Sequence, residues 1–171
     1  MIIAAGGSLL SAGPAGAGAR ADGGSITCQG GSLTADFKPG VTYKKGTTQV
    51  SANGDLGVCS SPEYPEITGG TFRFVGSGHG ACPGPFAIGH GKLAITWNDG
   101  STSVSPQMSF RAETFTVSLD GGAVSEGRFK GQTGRLSGRG TTAPIDIGAQ
   151  CITSGLTRYP AELDTAAIGA I

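Results

Sequence analysis

The residues with the most specific chemistry in this chain are its four cysteines. They are Cys28, Cys59, Cys82 and Cys151. Structural zinc sites take thiolates from close pairs such as C-x-x-C, and no such pair is present. An even number of widely spaced cysteines predicts two disulfides formed in an oxidising compartment. A metal site made of Cys82, His79 and His90 is the less favoured alternative, because disulfide formation already accounts for the cysteine.

No residue pattern identifies a catalytic centre. The G-x-S-x-G nucleophile motif is absent, and His79 and His90 are the only histidines that a Ser–His–Asp arrangement can use, with Asp99 or Asp120 as the acid. Glu113 and a second acid, Glu126, fall on neighbouring predicted strands, as the paired carboxylates of a glycoside hydrolase would. Solvent-exposed loop histidines and surface acids explain these residues more simply. The sequence therefore predicts no catalytic residue, no metal and no cofactor.

A local excess of positive charge is the clearest electrostatic signal. It lies in GRFKGQTGRLSGRG and consists of Arg128, Lys130, Arg135 and Arg139. On one hairpin, these side chains would form a surface for an anionic partner such as teichoic acid or a sulfated glycan. An exposed hairpin balanced by acids elsewhere is the alternative. Nucleic acid is not expected, since the net charge is zero and Phe129 is the only aromatic residue interleaved with these cations.

The elements that must position these residues are β-strands. In Lys92–Trp97 the apolar and polar side chains alternate, which is the period of a strand with one buried face. The turn 98–100 and a returning strand follow, and 114–119 alternates in the same way. Eight to ten such strands joined by short loops predict an all-β, meander-like antiparallel barrel, with a β-sandwich as the alternative.

The alternation also predicts a core. The residues expected to be buried on one side of the sheet are Phe72, Phe74, Leu93, Ile95, Trp97, Phe115, Val117 and Leu119. Residues 76–91 read as a long Gly/Pro loop that carries both histidines, and 150–156 as a final strand. The 32 glycines among 171 residues argue against long helices and are typical of turns and bulges in a curved sheet.

Three segments divide the chain. Residues 1–24 are interpreted as the remnant of a signal peptide, because Ala19-Arg20-Ala21 is similar to an A-x-A cleavage site, or as a disordered Ala/Gly-rich tail. Residues 25–157 form a single disulfide-linked β domain, and 158–171 a C-terminal tail. No apolar run has the ~20 residues that a transmembrane helix needs.

Strand order predicts how the cysteines pair. Cys28 lies near the start of the first strands and Cys59 ends the hairpin after them, so both are expected at one rim. Cys82 opens the loop before the central strands, and Cys151 begins the closing strand, where late strands of a barrel return to early ones. The predicted pairs are Cys28 with Cys59 and Cys82 with Cys151, out of three pairings that four cysteines permit.

Two segments carry a resemblance to known proteins. Gly91–Ser103, which reads G-x-L-x-I-x-W-x-D-G-S-x-S, and Gly127–Gly131, which reads G-x-F-x-G, resemble small secreted β-barrel proteins of Streptomyces-type actinobacteria. The resemblance covers roughly Ile26–Leu156 and implies a signal peptide and a barrel, but no activity. The second segment is also similar to dirigent and allene-oxide-cyclase barrels, over too few residues to imply their chemistry.

These observations together predict a secreted, non-enzymatic binding or structural protein that acts at or outside the cell envelope. The alternative is a barrel that binds or transforms a small apolar ligand in its interior, since barrels of about eight strands are either filled with side chains or hold one small ligand. A packed interior would favour the first prediction, and an apolar cavity of ~300 Å³ or more the second.

Overall fold

A computed structural model describes residues 23–169; 61% of the residues lie in strands, and there is one short helix among the described residues. The elements are β1 (Ile26–Gln29), β2 (Ser32–Val41), β3 (Gly46–Asp55), β4 (Val58–Ser60), β5 (Gly70–Gly80), β6 (Ala87–Trp97), β7 (Thr102–Ala112), β8 (Val117–Ala123), β9 (Glu126–Gly127), β10 (Thr133–Gly140), α1 (Pro144–Ile152) and β11 (Leu156–Ile168). The predicted signal remnant or N-terminal tail, apart from residues 23 and 24, lies outside the described residues.

Eight of the strands close into a barrel. Their order around it is β10, β8, β7, β6, β5, β3, β2 and β11, and the pairing of β10 with β11 completes the circle. Every neighbouring pair is antiparallel. The short strands β1, β4 and β9 lie outside this circle, where β1 pairs with β11 and β4, and β9 pairs with β7. The predicted antiparallel barrel is confirmed over the alternative sandwich.

The barrel strands run alternately in opposite directions, so their connections fall at two ends. We call one end the helix rim; it comprises the connections 42–45, 81–86, 113–116 and 141–155, the last of which contains α1. We call the other end the terminal rim; it comprises the connections 56–69, 98–101 and 124–132, and the first and last described residues lie beside it. Every side chain in a connection therefore belongs to one rim or the other.

Seven of the eight predicted core residues are buried, as the alternation requires. The prediction is wrong for Phe115, whose side chain is 67% exposed. The strand β8 begins only at Val117, because the Glu113 amide donates to the Thr116 carbonyl oxygen at 2.8 Å and closes the turn between β7 and β8. Phe115 therefore lies in the helix rim and not in the sheet.

Aromatic contacts fill the barrel at three levels. Near the terminal rim, the ring of Phe129 packs edge-on against those of Trp97 and Tyr64, with centroids 5.6 and 5.5 Å apart. In the middle, the rings of Phe74 and Phe110 stack at 5.3 Å. Near the helix rim, Tyr159 packs against the rings of Phe86 at 6.1 Å and Phe37 at 6.5 Å.

The C-terminal third of the described chain differs most from the sequence prediction. Residues 150–156, predicted as a strand, contain the end of α1. The helix begins at Pro144, whose fixed φ suits a first helical position, and it buries Ile147 and Cys151, one turn apart. Residues 158–168 of the predicted tail are instead part of β11, which extends to Ile168 and closes the barrel; residues 170 and 171 lie outside the described residues.

The cause of the second error is a proline within the last strand. Pro160 interrupts the strand pattern, because a proline cannot donate a ladder hydrogen bond. In β11 it lies opposite Thr34 of β2, and its carbonyl oxygen accepts the Thr141 amide at 3.0 Å. The flanking Tyr159 and Ala161 are buried, so the strand continues through the proline.

Both predicted disulfides are present. Cys28 in β1 is bonded to Cys59 in β4, and their Cα atoms are 4.0 Å apart. Cys82 in the connection between β5 and β6 is bonded to Cys151 in α1, with 6.2 Å between Cα atoms. The first bond therefore fastens the strands beside the terminal rim, and the second fastens the helix over the barrel's other end.

Candidate functional site

The residues that could form a catalytic centre are not brought together in a working arrangement. His79 and His90 lie on the outward face of β5 and β6, whereas Asp99 lies in the terminal rim. Asp120 comes nearest: it lies two strands, or about 9.5 Å, from His90 on the outward face, but Ser109 stands between them, so the carboxylate does not orient the imidazole.

Glu113 lies in the helix rim, while Glu126 pairs with Val104 near the start of β7. Nine residues of strand separate the two acids, or about 30 Å, which is beyond the roughly 5–10 Å of a glycosidase pair.

The alternative metal site is ruled out by the disulfide. Cys82 is bonded to Cys151 and has no free thiolate. Among residues 23–169, no three His, Cys, Asp or Glu side chains come together as a metal site.

The predicted anionic-partner surface is divided by the fold. Arg128 is turned toward the terminal rim, where its guanidinium lies 4.2 Å above the Tyr64 ring and 3.7 Å from the Asp99 carboxylate. Arg139 is paired with Asp164 at 3.0 Å. Lys130 and Arg135 are exposed, the first in a connection and the second on β10. Binding of an anionic partner stays a prediction, and it now depends on these two cations.

Arg128 has a structural position at the terminal rim. Its carbonyl oxygen accepts the Ser103 hydroxyl at 2.7 Å, and this hydroxyl accepts the Trp97 indole N–H at 2.9 Å. The pKa of Asp99 is held below its usual range, first by hydrogen bonds from Ser101 and then by the charge of Arg128. This cluster joins the connections 98–101 and 124–132 and closes the barrel at that end.

One apolar cavity, which Trp97, Met108 and Leu136 help to line, measures about 20 Å³. This is room for about one water molecule, far below the roughly 300 Å³ at which ligand pockets begin. The cavity is therefore too small for the apolar ligand of the alternative prediction.

The helix rim carries an unusual set of exposed apolar side chains. Six large hydrophobic residues are exposed in the described chain, and four of them lie in this rim: Tyr43, Phe115, Ile145 and Ile152. They come from three different connections. The barrel wall has one, Val75, and the terminal rim has one, Val58. Contacts between the connections hold this surface together.

Three contacts show how the helix rim is assembled. The Cys82 amide donates to the Thr42 carbonyl oxygen at 2.8 Å, and the Thr114 hydroxyl to the Pro83 carbonyl oxygen at 3.2 Å. The Tyr159 hydroxyl donates to the Glu113 carbonyl oxygen at 2.7 Å. Burial raises the pKa of Tyr159 to about 12.

A surface groove begins beside the helix rim and follows the outward face of β3, β5 and β6. It consists of three concavities of about 300, 440 and 240 Å³ that share lining residues, Thr47 among them. Lys45 lies in the first two, and His79 and His90 lie at the far end. The histidines lie in β5 and β6 and not in the predicted long loop, which spans only 81–86.

Comparisons with protein-family models, with curated proteins and with solved structures find no match to this chain. Separately, no helix among residues 23–169 is long and apolar enough to cross a membrane. The helix rim and the groove are therefore interpreted from their own residues.

Sequence reasoning missed both surfaces for identifiable reasons. Phe115 continues the alternation of β8 by residue type, so nothing in the pattern marks it as exposed. Ile145 and Ile152 lie seven residues apart, a spacing that places them on one face of a helix, but α1 was not predicted. The groove depends on the register Thr47–His79–Ile88 across three strands, and register is fixed only in the folded sheet.

Proposed function

We propose that this protein is an extracellular, non-catalytic binding module that docks reversibly on a lipid surface of the cell envelope through its helix rim. The observation that carries the proposal is the concentration of exposed apolar side chains at that rim, where four of the six in the described chain lie. Two disulfides support an extracellular setting, because disulfides persist in oxidising compartments.

The outer face of α1 is the centre of this surface. Ile145 and Ile152 are 81% and 73% exposed and lie on one side of the helix, with the exposed Ala149 between them. The opposite side, with Ile147 and Cys151, is buried against the barrel. Asp146 and Gln150 lie on one flank of the helix, between the buried side and the apolar outer face. The outer face is therefore suited to contact with another apolar medium.

The residues around this helix favour a lipid surface as that medium. Tyr43 and Phe115 are aromatic, and aromatic side chains are enriched where a membrane meets water. Lys44 and Lys45 adjoin Tyr43 in the same connection, and cations near a membrane are attracted to anionic headgroups. Burial of each large apolar side chain contributes roughly 1.5–3 kcal/mol, which suits reversible docking.

Charge also orients the molecule. In the helix rim, Lys44 and Lys45 are accompanied by two acids: Glu113, which is paired with Arg111 at 3.0 Å, and Asp146, which is exposed on α1. The terminal rim carries four acids, Glu63, Glu66, Asp99 and Glu126, and two cations, Arg128 and Lys130. The terminal rim is therefore the more negative end. An anionic lipid surface attracts the lysines of the helix rim and repels the acids of the opposite end. The protein is then expected to dock with its helix rim against the lipid and its terminal rim pointing away from it.

A small apolar ligand in the barrel is a second candidate with less support. The cavity of about 20 Å³ cannot accept such a ligand unless the packed side chains move. Surface binding requires no rearrangement of the core, and for this reason we favour it.

Vesicle sedimentation tests the docking proposal. The protein is mixed with vesicles of phosphatidylcholine and phosphatidylglycerol, and the bound fraction is measured. Ser in place of Phe115 and Ile152 together should lower binding about tenfold or more, because two large apolar contacts are lost. The matched control is Val58→Ser, which removes an apolar side chain of similar exposure at the other rim and should leave binding unchanged.

Equal loss in both variants, or no binding by the unmodified protein, would overturn lipid docking. If the unmodified protein instead forms dimers that the Phe115→Ser, Ile152→Ser variant abolishes, the helix rim binds a second copy of the chain and the lipid proposal is wrong.

A further inference from the structure

We infer that the groove along β3, β5 and β6 is a binding site for a phosphate or sulfate ester, with Lys45, His79 and His90 as its cationic and hydrogen-bonding groups. The inference concerns the outer wall of the barrel and goes beyond docking through the helix rim. Its basis is the composition of the groove, the register of its strands and the absence of acids from its lining.

The register brings the two histidines of the chain into one place. Across β5 and β6, His79 lies opposite Ile88, and His90 lies opposite Ser77. The histidines are thus diagonal neighbours on the outward face, a relation in which Cα atoms are about 7–8 Å apart and long side chains can meet. Both line the concavity of about 240 Å³, so one ligand group can contact both imidazoles.

Two glycines bring the strands close together behind the histidines. Gly78 and Gly89 lie opposite each other in β5 and β6. A Cβ atom on Gly78 would lie 2.9 Å from the Ile88 carbonyl oxygen, and one on Gly89 would collide with the Ser77 carbonyl oxygen. Larger residues here would force the strands apart. The geometry of the groove therefore depends on glycine at both positions.

The lining of the groove is selective for anions. Its polar side chains come from Lys, Thr, Ser and His, and no Asp or Glu among the described residues lines any of the three concavities. Lys45 opposes the approach of a cation, and a metal site would need further ligands that this face does not supply. Lysine ammonium and protonated imidazole are instead ordinary donors to phosphate oxygens. The concavities have the size of a small ester.

The surrounding charges leave this preference intact. The charged groups on β2, β3, β5, β6, β7, β8 and the connections 42–45, 81–86 and 113–116 are Asp36, Lys38, Lys44, Lys45, Asp55, Arg73, Lys92, Arg111, Glu113 and Asp120. Asp36 is paired with Arg158 at 3.1 Å, and Asp55 lies eight residues along β3 from Thr47, or about 27 Å away.

Glu113 is paired with Arg111 at 3.0 Å. His90 pairs with Ser109 of β7, and Ser109 pairs with Asp120 of β8. Asp120 is therefore two strands from His90, or about 9.5 Å. The nearer charges are positive.

Inorganic sulfate is the first probe, because it presents the same oxygens as an ester and carries no other group that could bind. Lys45, His79 and His90 are expected to donate to those oxygens, so replacement of any of them should weaken binding. Binding should also weaken as salt rises, because the groove is exposed.

The experiment is a titration of the full chain with inorganic sulfate and with glycerol 3-phosphate, followed by amide chemical shifts and by calorimetry. Shifts should concentrate in residues 77–80 and 88–90. His79→Gln with His90→Gln should weaken sulfate binding about tenfold, because two donors to the anion are lost, and Lys45→Gln should weaken it as well. Arg73→Gln is the matched control and should change nothing, because Arg73 is an exposed cation on the same strand as His79 but lines none of the three concavities.

Vesicles distinguish a lipid headgroup from a free ester. If the free esters do not bind, or bind without any effect of the histidine variant, the groove inference is wrong, whether or not vesicle docking is observed. If the free esters bind as expected and vesicles do not, the groove is a site for soluble esters and the docking proposal fails. A histidine variant that lowers binding to free ester and to vesicles alike identifies the headgroup as the ligand.

Discussion

At the scale of single residues, Tyr159 shows how burial and hydrogen bonding act together. Its ring lies between Phe37 and Phe86, and its hydroxyl donates to the carbonyl oxygens of Glu113 at 2.7 Å and Thr116 at 3.2 Å. This one side chain thereby joins the last strand to the connection between β7 and β8. It supports the part of the helix rim that carries Phe115.

The first prediction concerns Tyr159→Phe. Loss of the hydroxyl should lower the free energy of unfolding by about 1 kcal/mol near neutral pH, because the hydrogen bonds to two carbonyl oxygens are lost. In the unmodified protein the pKa is about 10 when unfolded and about 12 when folded. The neutral phenol therefore adds stability that is complete below about pH 10 and is lost as pH rises toward about 12.

Urea unfolding at about pH 8 and about pH 11 measures both effects. The difference in stability between the two pH values should be smaller in Tyr159→Phe than in the unmodified protein. An equal difference in the two proteins would show that Tyr159 does not cause the alkaline loss.

The second prediction concerns the cations of the predicted anionic-partner surface. Retention on heparin at low salt should fall in Lys130→Gln with Arg135→Gln, since these two side chains are exposed. Arg139→Gln should change retention little, because Arg139 is already paired with Asp164. The interaction should weaken as salt rises, since exposed charges are screened. Retention that depends on Arg139 alone, or that resists salt, would contradict this.

At the scale of elements, α1 depends on its surroundings. A helix of nine residues is not stable alone in water, and few side chains bind it to the barrel. Ile147 packs inward, and the disulfide between Cys82 and Cys151 joins the helix to the segment between β5 and β6. The exposed face with Ile145 and Ile152 is thus presented by a covalently fastened helix.

The third prediction compares the two disulfides. Replacement of either pair by serine should lower stability by roughly 4 kcal/mol in the chain-entropy model. Only the pair Cys82→Ser with Cys151→Ser should also weaken vesicle binding, because it releases α1. The pair Cys28→Ser with Cys59→Ser serves as the control, because the disulfide it removes fastens strands beside the other rim. Equal effects on vesicle binding in folded variants of both kinds would show that α1 is not part of the docking surface.

Strand alternation was sufficient to predict the barrel wall but not the elements at its ends. Leu93, Ile95 and Trp97 are buried where the period of two places them. The helix was missed because its nine residues include a glycine and a proline, and β11 because Pro160 stands within it. The disulfide partners could still be predicted, since they depend only on which strands return to which end.

The candidate surfaces were harder to predict than the fold. In the sequence, Phe115 fits a buried strand position as well as an exposed turn position. Only the turn closed by the Glu113 amide decides between them. His79 and His90 are eleven residues apart in sequence, and only the register of β5 with β6 makes them neighbours. Both proposed binding surfaces consist of positions that the hydrophobic pattern alone does not specify.

At the scale of the whole molecule, the two rims differ in both polarity and charge. The interior between them is packed by three levels of aromatic rings, and the barrel strands hold the two rims apart. A surface that binds one rim therefore leaves the other at a fixed distance. Trp97, the single tryptophan, is buried at the terminal end of β6.

The fourth prediction uses this geometry. Ten residues of β6 separate Trp97 from Ala87 at the helix-rim end, which is about 33 Å along the strand. Vesicles with brominated lipid chains should leave the emission of Trp97 unchanged when the protein docks, because bromine quenches only at short range. In Phe115→Trp, a second indole placed in the helix rim should be quenched and its emission shifted to the blue. Quenching of Trp97 in the unmodified protein would mean that the terminal rim, or an opened barrel, enters the lipid, and the proposed orientation would be wrong.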